Sequence, residues 1–316
     1  MTSNPAQAEA PLPAAQVSWQ PFAAMAIGVM AVSTAAILIR LAQDEGVSSL
    51  VLAASRLCIA SLMLTPVVLS RHRQELRTLA WPDVRLMVLS GLMLSMHFAT
   101  WISSLEYTSV VNSVTIVTTS PLWVAVLAWL LLNEKLKSAA LVAMALAFGG
   151  GILVSLSGET GDPTTRHAPL LGNGLALVGA LAVAVYFIIG RSLRSRLSAL
   201  LYIWIVYSAA AISLVIVVVI LGLPVAGFSK EAYLWIALMG LLPQLIGHSS
   251  FNYALGFLPA AYVSLVILLE PVASGILAIF FLDEWPVFLQ VIGAALILTG
   301  IGFASKDQQS GKPSEN

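Results

Sequence analysis

The sequence predicts an all-α integral membrane protein of ten transmembrane helices, arranged as two inverted five-helix repeats. Three observations carry that expectation. The chain is 59% hydrophobic and 9% charged, with a mean hydropathy of +0.93, whereas a soluble domain holds roughly 45–50% apolar and about 25% charged residues. Apolar windows of about 20 residues, the length that crosses a bilayer core, recur ten times with short connections between them. The chain also resembles itself: a shift of 150 residues lays Leu105 on Leu255, Pro121 on Pro271, Glu134 on Glu284, Gly150 on Gly300 and Ser155 on Ser305. Because five is odd, a second set of five helices must enter the bilayer from the opposite side.

Residues 1–20 hold neither Lys nor Arg and are rich in Ala, Pro and Gln, the composition of a disordered tail. Spans follow at about 21–42, 48–70, 84–105, 108–132 and 138–157, which make the first repeat, residues 21–157. The run that opens this repeat is long for a signal peptide and reads as a retained span. Residues 158–169 form an outer linker. Spans at about 170–190, 199–222, 231–256, 259–282 and 286–304 make the second repeat, residues 170–304, and residues 305–316 are a C-terminal tail.

Orientation follows from the basic residues. With the N-terminus in the cytoplasm, the inner loops and tail collect Arg71, Arg73, Arg77, Arg85, Lys135, Lys137, Arg191, Arg194, Arg196, Lys306 and Lys312; the outer ends collect Arg40, Arg166 and Lys230. That asymmetry places both termini on the cytoplasmic side of the plasma membrane.

Several classes of function are excluded or left without a signal. The net charge is zero and no dense basic run occurs, so no nucleic-acid partner is expected. The single cysteine, Cys58, permits no intrachain disulfide and reads as a buried packing residue. No metal-ligand cluster and no cofactor motif is evident. Gly149, Gly150 and Gly151 loosen a helix end rather than bind phosphate, because no P-loop lysine follows. Small residues at four-residue spacing, Ala139, Ala143, Ala147 and Gly151, and Ala176, Ala180 and Ala184, let helix backbones approach closely, either within one chain or across a homodimer.

The stretch Ala260 to Leu282 carries Glu270 and Pro271 near its middle. A carboxylate at that depth costs roughly 2.5–3.5 kcal/mol, and the proline frees a backbone carbonyl that another group must satisfy. Glu270 lies roughly 16 Å from the inner end of its helix at 1.5 Å per residue, near the bilayer centre. Burial favours its neutral form, so it can load and release a proton; the alternative is a carboxyl that only closes the kink. Arg56 lies roughly 12 Å below the outer end of the second span. It either meets Glu270 or holds a substrate carboxylate, or else it snorkels to the interface. His97 and His248 are placed symmetrically in the two halves, which puts them on opposite sides of the midplane. His97 shares a helix face with Trp101, and His248 with Asn252. Asn112, Thr115, Tyr186, Tyr207 and Tyr262 are further candidates to line a pathway, because ligand sites combine aromatic walls with a few polar groups. Pro121 and Pro271 are the expected hinges.

The segments HFATWISSLEYTSVVNSVTIVTTSPLW from His97, LLLNEKL from Leu130, LLEPVASG from Leu268 and the FLDE that closes the ninth span resemble the paired EamA repeats of the drug/metabolite transporter superfamily. The resemblance covers about Pro21 to Ser305. It implies ten helices in two inverted halves and export of amino acids or other small metabolites. The family's motif of a mid-helix proline and an acidic residue at the helix end falls on Pro121 with Glu134 and on Pro271 with Glu284. Ser120 stands where the second half has Glu270, so any charge role is one-sided. The expectation is therefore a secondary transporter working by alternating access, with a small-molecule substrate and the lipid bilayer as its partners. Import or exchange of another organic solute is the alternative in the same class. An intramembrane enzyme acting on a lipid is the alternative in another class, against which no HExxH, GxSxG or paired aspartates occur in a span. No enzymatic activity is expected.

Overall fold

The fold is that of a computed structural model, which describes residues 19–107, 113, 116–117, 119–133, 138–156, 168–270, 272–273, 276–277 and 288–310. The described residues are helical with no strand. In chain order the helices are α1 (Gln20–Val32), α2 (Ala35–Asp44), α3 (Ser49–Arg71), α4 (Arg73–Arg77), α5 (Trp81–Tyr107), α6 (Ser120–Leu132) and α7 (Ser138–Leu156). They continue with α8 (Pro169–Arg194), α9 (Ala199–Ile220), α10 (Lys230–Met239), a π-helical segment (Gly240–His248), α11 (Ser249–Ala254), α12 (Ala260–Ile267) and α13 (Phe288–Ser310). Among the described residues, six helical stretches are long and apolar enough to cross a membrane: Gln20–Asp44, Ser49–Arg71, Trp81–Ser104, Leu170–Arg194, Ala199–Ile220 and Lys230–Ala254. The expectations placed on Asn112, Thr115, Glu134, Pro271, Glu284 and most of the outer linker and tails fall outside the described residues.

Where the helices depart from regularity, the sequence supplies the cause. Between α1 and α2 the hydroxyls of Ser33 and Thr34 donate to the carbonyls of Val29 and Ala31, each at 2.7 Å, and so compete with the main-chain ladder. Pro243 has no N–H and crowds the carbonyl four residues before it, and the backbone around it widens into the π-helical segment. α12 stops at Ile267, four residues before the proline at 271, and a turn at Leu268–Leu269 carries the chain to Glu270. Pro121 follows a turn at Thr119. It sits in the first turn of α6, where its missing N–H is one of the unpaired helix-start donors anyway.

Close neighbours are α3 with α9, α5 with both α8 and α9, α7 with α13, α1 with the π segment and α11, α2 with α10, and α6 with α8 and α12. Two glycines permit the tightest of these approaches. A Cβ at Gly91 would lie 2.6 Å from Val206 O and 2.7 Å from Ala209 Cβ, so α5 and α9 meet backbone to backbone. Gly150 likewise faces the backbone of Gly293. Of the small-residue stripe on α7 Ala143 is fully buried, while the placement of Ala139, Ala147 and Gly151 lies outside what is described; the stripe on α8 lies in the packed interior, with Ala176, Ala180 and Ala184 all buried. Cys58 is half-buried rather than buried, on the flank of α3 beside α9.

The two ends of the bundle differ in charge. Arg196 forms an ion pair with Asp83 at 2.7 Å, and Glu75 accepts from the backbone N–H of Ser198 at 2.8 Å. These contacts draw the α3–α5 and α8–α9 connections, with their arginines, to one end. Ser229 donates to Glu45 at 2.6 Å at the start of α10, joining the α2–α3 and α9–α10 connections.

Candidate functional site

The irregular segments converge on one cavity. Its volume is about 220 Å³, and its wall is built from Val32 and Ala35 at the α1–α2 break, Arg56 of α3, and His97, Phe98 and Trp101 of α5. Val117, Ser120 at the start of α6, and Val183 and Phe187 of α8 close a second side. Pro243 and His248 of the π segment, Phe251 of α11, Ser264 and Ile267 of α12, and Leu268 and Glu270 after it complete the wall. A helix that breaks leaves backbone groups without partners, and inside a membrane such backbone is tolerated where it borders protein or a wet cavity.

Arg56 is 1% exposed and does not snorkel. Its Nε donates to Gln244 Oε1 at 2.9 Å, and its guanidinium carbon lies 4.1 Å from the centroid of the Phe98 ring. Glu270 faces the same cavity, and among the described residues its carboxylate has neither an ion pair nor a hydrogen bond. The Glu270 main-chain carbonyl accepts from Ser33 Oγ at 3.4 Å, which joins the two broken helices.

The two histidines placed symmetrically in the halves come together around one ring. Phe98 touches both, its ring centroid 5.0 Å from that of His97 and 5.2 Å from that of His248. The chain folds α5 against the π segment through this ring, so both imidazoles reach one cavity. His97 Nδ1 meets the carbonyl of Gly179 at 2.9 Å, so Nδ1 carries the proton, and the ring stacks on Trp101 at 5.8 Å with 10° between planes. Among the described residues Trp101 Nε1 and His248 Nδ1 are buried with no hydrogen-bond partner, as are Gln244 Nε2 and Asn252 Oδ1 behind them. Orphan polar atoms of this kind are rare in protein interiors, and two of them on residues that line one cavity mark a place where a polar solute gains more than it does elsewhere.

Four of the expected lining residues stand behind the wall instead. Asn252 Nδ2 donates to Tyr186 Oη and to His248 O, and Tyr207 Oη reaches Ser249 Oγ at 3.3 Å and Gln244 O at 3.5 Å. Tyr262 packs edge-on to Phe22. Asn252 and Tyr186 pair with each other, Tyr207 and Tyr262 with other groups, and none of the four lines the cavity. Sequence reasoning missed Phe98 and Gln244. Phe98 carries no signal in an apolar span, whereas an amide immediately after a mid-span proline was a signal that could have been read.

The model of the EamA-like transporter family matches this chain twice, over residues 21–156 and residues 170–306. A protein named as an uncharacterized transporter in Clostridium kluyveri is 22% identical over 244 residues, which are 77% of this chain and 78% of that one. A protein of Streptantibioticus cattleyicolor, named as a probable terminal-alkyne amino-acid exporter, is 26% identical over 187 residues, 58% of this chain and 59% of its own length. A protein crystal structure has the same fold, with a TM-score of 0.76 over 92% of this chain and 99% of that chain at 19% identity. Six membrane-length helices within two matched repeats describe a multi-pass membrane protein.

Proposed function

The chain belongs to the EamA-like transporter family, and from that premise we propose that it is a secondary-active exporter of small zwitterionic metabolites, amino acids first among them, working by alternating access. The observation that carries this reading is the placement of Arg56 and Glu270, opposite in charge and without an ion pair among the described residues, on one apolar and aromatic cavity. A guanidinium there can take a carboxylate and a carboxylate there an ammonium or a proton, while the apolar wall takes a side chain. The printed name of the Streptantibioticus relative, an amino-acid exporter, supports the same substrate class.

Support for two inverted halves comes from the neighbour pairs. The 150-residue shift relates α3 to α9 and α7 to α13, and each of these is a packed pair; it exchanges the α5–α8 pair with the pairing of α1 and α2 against the eighth span. With both termini cytoplasmic, the arginine-bearing end faces inward. No phosphate-binding GxxxxGK[ST] occurs, so the energy comes from an ion or solute gradient, with Glu270 as the proton carrier. Metabolite profiling of medium and cells with and without the protein tests the function: a small set of zwitterionic solutes moves from cells to medium if the reading is right, and an unchanged medium contradicts it.

A further inference from the structure

Among the described residues the groups in direct contact with Arg56 are electrically neutral, and the Glu270 carboxylate on the same cavity makes no ion pair with it. Nε is taken by the Gln244 amide, one face of the guanidinium is covered by Phe98, and neither terminal NH2 group has a hydrogen-bond partner among the described residues. Gln244 is itself fully buried, and Tyr207 Oη donates to its main-chain carbonyl from α9. Chemistry decides which way the amide points. Arg56 Nε is only a donor, so Gln244 must present its oxygen, and this leaves Nε2 buried and unpaired among the described residues. A glutamate at this position would make the same hydrogen bond and would also supply the counter-charge that a buried guanidinium needs. The chain has the amide instead.

We propose that Gln244 is the residue that sets the selectivity of this cavity for a carboxylate: it anchors the Arg56 guanidinium by Nε while leaving its charge free for the solute. A planar group held at Nε and stacked on a ring can turn little. Its remaining edge is the pair of terminal NH2 groups, whose spacing matches the two oxygens of a carboxylate. Gln244 is a positioning residue, since it acts through Arg56. The inference rests on the transport reading only in taking the bound carboxylate to be part of the cargo.

Thermal unfolding of the full chain purified in detergent tests it, with benzoate as the probe and benzamide as its neutral twin. Benzoate is expected to raise the melting temperature of the wild type and benzamide to leave it unchanged. Gln244→Glu is expected to melt higher than the wild type without ligand and to bind benzoate at least about tenfold more weakly, because a fixed carboxylate now occupies the charge. A purely structural role for Gln244 would not raise stability while removing binding. Gln244→Met keeps the bulk, adds no charge and frees the guanidinium to rotate, so it too weakens benzoate by about tenfold, and it decides the matter if the glutamate variant fails to fold. Undiminished benzoate binding in either folded variant, or no benzoate response in the wild type, overturns the inference. Metabolite profiling judges the transport reading separately: benzoate results as expected with a flat profile would keep the anion site and remove the export function.

Discussion

Arg56 and Glu270 look into the same space from α3 and from the turn after α12, and what they do depends on what lies between them. If Glu270 exchanges a proton for cargo, Glu270→Gln in proteoliposomes loses the acceleration of efflux by an acidic outside while the chain still folds. Retention of the wild-type rate and pH response by that variant removes the carboxylate from the coupling step. A second carboxylate acts outside the spans. Partial burial pushes the Glu75 carboxyl up, but hydrogen bonds with Ser198 and His72 outweigh it and hold the group below the usual carboxylate range. Its stabilisation is therefore complete above the unfolded value of about 4.3 and is lost as pH falls through the lower folded value. Glu75→Gln is expected to cost roughly 0.5–1 kcal/mol at pH 7, the lower part of the capping range for a partly exposed group, with the difference vanishing in strong acid. Melting temperatures against pH check both the size and the sign. At this scale the sequence revealed charge well and geometry poorly. Arg56, Glu270, His97, Trp101 and His248 border the cavity, because a polar side chain in an apolar span needs a reason to be there. Tyr186, Tyr207 and Asn252 had such a reason too, but it was one another, and spacing along a helix does not distinguish a partner from a solute.

The elements are shaped by where backbones can touch and where they must break. α5 meets α9 at Gly91 with no room for a side chain. Gly91→Ala would gain about 1 kcal/mol of helix propensity, but overpacking costs about 1–3 kcal/mol and the blocking atoms are main chain and the Ala209 Cβ, none of which can swing aside. A lower melting temperature in detergent is the expected result, and a higher one would show that the two helices are not in contact there. The breaks were half legible. Pro121, Pro243 and Pro271 announce trouble in their spans, yet that the second became a π segment depended on neighbours the local sequence does not name. The Ser33–Thr34 break gave still less warning, since hydroxyl residues within helices usually bond back without ending them.

At the scale of the whole molecule, hydropathy and self-similarity pointed to a helical membrane protein of two repeats, and two family matches over residues 21–156 and 170–306 agree with the repeats. Which helices would be neighbours was not written in the hydropathy, because every span looks equally apolar from outside; it follows from glycines and small side chains that let particular pairs approach. The central claim is that the cavity opens to each side of the membrane in turn. Ser120 borders that cavity at the start of α6 and is half-buried. With Cys58 replaced by serine, Ser120→Cys becomes the sole thiol in the chain. Labelling by a charged, membrane-impermeant thiol reagent applied separately to the outer and inner faces of oriented vesicles measures access directly. The account predicts reaction from both faces; reaction from one face alone, or from neither, contradicts it.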